Sequence, residues 1–249
     1  MANILAKYGI KEVADVMIYD INDDGSLGAP VLYLDTLKVS TIEQTAEEVS
    51  ARGGKGNPEL ISWNYNKEIN ITLEDALFSA KSMAIMFGNG TVAGGSDTQV
   101  TQHFVWTATS GGTAKPSVMV KNGVTYSITS ASIYSMEDMT AVSSVTSGTN
   151  YYVVAQGTTT AGKVQKIEIS NDTFPGTYAL IGDTYARSYD TGKDEFYQFI
   201  IHKAKMQANQ TITLQAEGDP STFSFSMKVL KPSTGNMMEL IKYDLSQPT

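Results

Sequence analysis

At 249 residues and 41% hydrophobic content, the chain can bury a sizeable core, which excludes a disordered polymer. The net charge of −8 argues against gripping nucleic acid through its phosphates, and the absence of cysteine removes disulfides and thiolate chemistry. No apolar run reaches the roughly 18 residues that a membrane span needs, and the opening MANILAKYGIKEV lacks the apolar core and cleavage site of a signal peptide.

Two strands are expected first, around Val16–Tyr19 and Val31–Val39, joined by the turn Asn22-Asp23-Asp24-Gly25. Asp20, Asn22, Asp24 and Gly25 match the opening of an EF-hand loop. Its twelfth position, however, holds Val31 where a bidentate glutamate belongs, so a hairpin turn is the better reading.

The stretch Glu43–Gly88 organises the chain. It opens with a charged, glycine-rich loop, Glu47 to Pro58, that has too few apolar residues to bury itself. An alternating strand follows, with Ile61, Trp63 and Tyr65 on one face and then Ile69, Ile71 and Leu73. An amphipathic helix is expected from about Glu74 to Phe87, with Thr72 as N-cap and Asp75 in the capping-box position. Leu77, Ala80, Ala84 and Phe87 recur at helical spacing, so Leu77, Ala84 and Phe87 are expected to pack on the β-core, and Gly88 supplies the stop.

Residues 96–172 change character, becoming rich in Ser, Thr, Gly and Ala. Short strands are expected at His103–Thr107, Ser117–Val120, Thr125–Ile128, Tyr151–Ala155 and Val164–Ile169, with Lys121-Asn122-Gly123-Val124 as a type I′ hairpin signal. This is either an all-β insertion, as a separate outward-facing domain would be, or an elaborated set of barrel strands. The expected division is therefore 1–95 plus 173–249 against 96–172.

The last third returns to clear strands: Tyr178–Ile181, then Thr184–Arg187 after Gly182, Glu195–His202, Thr211–Glu217 and Thr222–Leu230. Phe223, Phe225, Met227 and Val229 alternate with polar residues, as an antiparallel strand with one buried face requires. Gly218-Asp219-Pro220 reads as a turn, and Met237–Asp244 as a closing strand or helical turn. The fold class is mainly β: an antiparallel sandwich or barrel with one flanking helix and an all-β insertion.

Catalytic chemistry finds little support. His103 and His202, the only histidines, lack an adjoining acid-and-nucleophile pattern. Gly53-Gly54-Lys55 fails as a phosphate loop, because Val49 and Gly56 stand where a glycine and a Ser or Thr are needed. The Asn-x-Thr sequons at Asn70, Asn89, Asn171 and Asn209 read as chance in a threonine-rich chain. No catalytic residue, cofactor or metal is assigned.

The phrases ARGGKGNPELISWNYNKEI, ITLEDALFS, FPGTYALIGDTYARSYDTGKDEFYQFIIHKAKM and the later ITLQAEGDPSTFSFSMKVL resemble the tail tube (major tail) proteins of tailed bacteriophages. The resemblance covers roughly residues 30–90 and 174–244. It implies a fold shared with type VI secretion tube proteins, hexameric rings stacked into a hollow tube, and DNA ejection through the lumen. The long loop, Gln44–Leu60 here, would touch the next ring, with Glu47, Glu48, Arg52, Gly53, Gly54, Lys55 and Asn57 as contacts. Implied partners are further copies of the chain, the tape-measure protein and DNA without specific binding, a sheath if the tail is contractile, and no membrane. Implied localisation is the virion tail, after synthesis in the host cytoplasm. Two alternatives stand beside this: a baseplate, tail-tip or secretion-tube homologue, and a carbohydrate-binding β-sandwich suggested by Trp106, Tyr126, Tyr151 and Tyr152.

Overall fold

The structure, a computed structural model, describes residues 7–88, 91–92, 99–121, 124–158, 165–209, 211–212, 221–233 and 235–243. Its contacts form two compact units, one of Met1–Thr91 with Ile169–Thr249 and one of Val92–Glu168. The architecture is antiparallel and strand-dominated, with one short helix and a curled, half-barrel sheet.

In the first unit the chain runs through β1 (Tyr8–Ile10), β2 (Asp15–Ile21), β3 (Leu27–Leu34), β4 (Leu37–Arg52), β5 (Glu59–Asp75) and α1 (Ala80–Met86). It re-enters through β10 (Thr177–Ser188), β11 (Asp194–Met206), β12 (Phe223–Val229) and β13 (Met238–Tyr243). The sheet order is β3-β2-β10-β11-β12-β5-β4, with β1 on the far end of β10 and β13 on β11. Period-two patterning builds this core. Val16 and Ile18, Ile69, Ile71 and Leu73, and Phe223, Phe225, Met227 and Val229 all turn to the same buried cluster. The expected break at Gly182 does not occur, and β10 runs straight through it. A Cβ there would stand 2.1 Å from Cζ of the Phe199 ring, so the glycine makes room for an aromatic from β11 laid across the strand.

The helix is shorter and later than the sequence suggests. Thr72, Glu74 and Asp75 belong to β5, because pairing with β4 and β12 carries that strand to the Asp75↔Phe223 and Asp75↔Leu37 positions. The cap is Ser79, which accepts from the Ser82 amide while the Ser82 hydroxyl accepts from the Ser79 amide. Asp75, buried, accepts from the Thr36 hydroxyl and the Leu77 amide, holding the turn between strand and helix. Ala84, Ile85 and Met86 are buried, and Phe87, the C-cap, packs on the core. Leu77 is a correction. It precedes the helix and is 64% exposed, so it takes no part in helix packing.

The second unit is a four-stranded antiparallel sheet, ordered β6-β9-β8-β7, from β6 (Gln99–Thr107), β7 (Val118–Lys121), β8 (Val124–Ser135) and β9 (Asn150–Thr158). It has its own apolar cluster, including Ala131, Ile133, Tyr151, Val153 and Ala155, with Phe104 and Trp106 packed against it. Lys121 pairs with Val124 across the two-residue connection read as a hairpin. Asn122 and Gly123 themselves lie outside the described residues. Residues 165–169 form no strand beyond a bridge at Lys166. Most of the expected strand Thr211–Glu217, all of the turn Gly218–Pro220 and sequon Asn89 also lie outside the described residues. Among the described residues, no helix is long and apolar enough to cross a membrane.

Candidate functional site

The hairpin of β4 and β5 is far longer than the sheet that anchors it. Its proximal half belongs to the core, where Gln44↔Ile69, Ile42↔Ile71 and Ser40↔Leu73 are paired and Ile69, Ile71 and Leu73 are buried. Beyond Thr45 and Glu68 the ribbon leaves the core. From residue 45 to 49 and from 59 to 67 every side chain is exposed. At ~3.3 Å per residue this distal half reaches about 25 Å. The expected loop Glu47–Pro58 is thus half strand, Glu47–Arg52, and only its other half, Gly53–Pro58, forms the connection. The correction has a plain cause: cross-strand hydrogen bonds satisfy a polar backbone as well in an exposed ribbon as in a core.

A single irregularity decides which way the arm faces. Between the pairs Thr45↔Glu68 and Glu47↔Tyr65, β5 carries one residue more than β4. The extra residue sits at Asn66, whose φ of 49° lies in the left-handed region that asparagine tolerates better than most residues. The Asn66 side-chain amide donates to Glu47 Oε1 at 2.9 Å and closes the bulge. That bond, with a lesser one from Tyr65, holds the Glu47 carboxyl below the usual carboxylate range.

The bulge reverses the side-chain phase. Read straight along the sequence, the odd positions from Ile61 to Leu73 share one face. In the paired register they do not. Ile69, Ile71 and Leu73 share a face with the even positions of β4 and point to the core. Tyr65, Trp63 and Ile61 pair with Glu47, Val49 and Ala51 and point the opposite way. The arm therefore carries an apolar stripe on one side, with Val49 52%, Ile61 55%, Trp63 53% and Tyr65 51% exposed. The other side is polar: Glu48↔Asn64 and Ser50↔Ser62.

At the tip, Arg52 Nη2 lies 2.9 Å from Glu59 Oε2 across the ribbon. Such an exposed pair is worth about 0–1 kcal/mol, enough to help hold the end in register. The connection folds through Gly53 N–H to Pro58 O and Asn57 N–H to Gly54 O, with Gly54 (φ 86°), Gly56 (φ 89°) and Asn57 (φ 51°) left-handed. Lys55 is at its apex.

The sequence-derived contact residues thus divide in two. Glu47, Glu48 and Arg52 are strand residues, and two of these already hold partners within their own hairpin. Gly53, Gly54, Lys55 and Asn57 make the turn. Sequence periodicity groups Ile61, Trp63 and Tyr65 on one face; what it does not give is that this face, joined by Val49, turns away from the core through the bulge at Asn66. Elsewhere, Asn22–Gly25 is a tight turn with Gly25 at φ 82°, and its Asp24 carboxylate accepts from Ser26. His202 Nε2 meets Glu239 Oε1 at 3.2 Å, and His103 Nδ1 meets the Tyr152 hydroxyl at 3.1 Å. A surface cavity of about 700 Å³ is lined by residues including Asp15, Asp35, Asp183, Arg187 and Asp194, with no nucleophile set beside a base.

A family model described as the YomU/Tube protein family matches residues 8–242. A search of curated proteins finds no match.

Proposed function

The chain belongs to the YomU/Tube protein family, and from that premise we propose that it is a structural subunit of a phage tail tube. Copies assemble into hexameric rings that stack into the conduit for DNA ejection, and the subunit has no catalytic role. The observation that carries this reading is the projecting arm, whose apolar stripe of Val49, Ile61, Trp63 and Tyr65 is left uncovered by its own chain. A lone two-stranded ribbon is marginal in water, and cross-strand pairs add only about 0.2–1 kcal/mol each. A neighbouring copy covers the stripe, and the repeated contact accumulates along the polymer.

Glu47, Glu48, Arg52, Gly53, Gly54, Lys55 and Asn57 are the arm positions that meet the next ring. In this division of labour the apolar stripe supplies the energy, while the charged tip sets the register. The net charge of −8 suits a wall that DNA passes without adhering. A tape-measure protein inside the lumen, and a sheath outside if the tail is contractile, complete the set of partners.

Negative-stain microscopy of the purified protein over a range of concentrations tests this. Long tubes of uniform width are expected. Rings that never stack would point instead to a tail component present once per particle, such as a tail-tip ring. Monomers at every concentration would overturn the reading.

A further inference from the structure

The sheet of the second unit buries one face and opens the other to solvent. Trp106 and Tyr151 turn inward to its core, and Tyr126 lies on that same side, opposite Met119. Tyr152 does not. By register, Val105, Tyr152 and Tyr134 form one row across β6, β9 and β8 on the outward face. The neighbouring row is His103, Val154 and Ser132. The Tyr152 hydroxyl bonds His103 Nδ1 at 3.1 Å and the two rings stack with centroids 6.1 Å apart, so this aromatic is held in place before any ligand arrives.

This face has an unusual chemistry for so acidic a chain. Among the described residues, the outward positions of these four strands carry no Asp, Glu, Lys or Arg; they carry Ser, Thr, Asn, Gln, Val, Tyr and one His. The outward face of the first unit is different, with Glu43, Glu68, Lys205 and Lys228 on β4, β5, β11 and β12. On the second unit the rim is also pre-set. The Thr107 hydroxyl donates to Asn150 Oδ1 at 2.7 Å, which fixes that amide in place beside the platform.

We propose that the outward face of this sheet binds a neutral polysaccharide, with Tyr152 and Tyr134 as the platform and His103, Ser132, Thr107 and Asn150 as the polar rim. A sugar ring presents an apolar C–H face edged by hydroxyls. Tyrosine rings match the first, and uncharged hydroxyl and amide groups match the second. With no cation on it, the face has nothing to pair with a polyanion, and with no anion it has nothing to pair with a basic partner. Charge matching therefore selects an uncharged polyol. This activity is separate from tube assembly, because its residues lie in the other unit from the arm.

Affinity electrophoresis of the full chain tests it, in native gels cast with dextran, a β-glucan or a galactomannan, and with polygalacturonate as the anionic comparison. At least one neutral polymer is expected to retard the protein more than polygalacturonate does. Tyr152→Ala and Tyr134→Ala should each weaken that retardation about tenfold or more, the scale of losing an aromatic anchor. Tyr152→Phe, which keeps the ring and its packing, should weaken it only a few-fold, and Leu77→Ala, exposed in the first unit, should leave it unchanged. Three results would overturn the proposal: no retardation by any neutral polymer, retardation indifferent to Tyr152 and Tyr134, or self-association relieved by Tyr152→Ala, which would make the face a contact between copies.

Discussion

Excising residues 46–67 and joining Thr45 to Glu68 through an Asn-Gly turn is expected to abolish tubes while leaving a folded, soluble subunit. The cut follows the structure, because Thr45 and Glu68 are directly paired and a two-residue turn closes antiparallel strands at that spacing. Every buried residue of β5 lies on the core side of the cut: Ile69, Ile71, Leu73 and Asp75. The excised ribbon contains no buried residue, so the melting temperature should move by no more than about 4 °C, the scale of 1 kcal/mol in a chain of this size. Circular dichroism and negative-stain microscopy of the same preparation read both halves of the expectation. Long tubes from the excised protein would remove the assembly role of the arm.

The second large effect separates two residues that share a strand and a sequence phase. Ile71→Asp should unfold the protein, because Ile71 is wholly buried and an unpaired carboxylate there costs several kcal/mol against a total of roughly 5–15. Trp63→Asp should fold normally and fail to polymerise, since Trp63 is 53% exposed on the opposite side of the ribbon and gives up only contacts within the arm, such as its cross-strand pair with Val49. The pair of variants tests the bulge at Asn66 directly. If both unfold, the phase is continuous and the stripe belongs to the core; if both polymerise, the stripe is not a contact. Leu77→Asp, outside the helix and exposed, belongs with the tolerated substitutions.

Much of the fold is legible wherever one face of an element is buried throughout. Phe223, Phe225, Met227 and Val229 alternate without interruption, and the strand stands where the alternation places it. The same holds for Ile69, Ile71 and Leu73. Two features escape this reading because a neighbour decides them. Thr72 to Asp75 have the residue types of a helix start, but pairing with both β4 and β12 keeps them extended, and the real cap is the less conspicuous Ser79. Gly182 looks like a strand break until Phe199 is seen lying over it.

The arm is legible in part. Ile61, Trp63 and Tyr65 are recognisable as one face, and the glycines of the tip as a turn. The side that face takes is not, because a bulge is one residue of excess on one strand, visible only against the partner's count. The charged residues suggested a loop, whereas Arg52 and Glu59 complete a hairpin.

The most direct measurement of the central claim, that copies join through the stripe, uses the chain's own chromophores. It has two tryptophans, Trp63 on the arm and Trp106 packed inside the second unit, so Trp106→Phe leaves Trp63 as the sole reporter. Iodide quenching of that variant is followed while microscopy scores assembly. As tubes form, Trp63 emission should shift to the blue and its quenching should fall severalfold, because a neighbour replaces water over the indole. Tubes in which Trp63 stays as quenchable as in the monomer would contradict the claim.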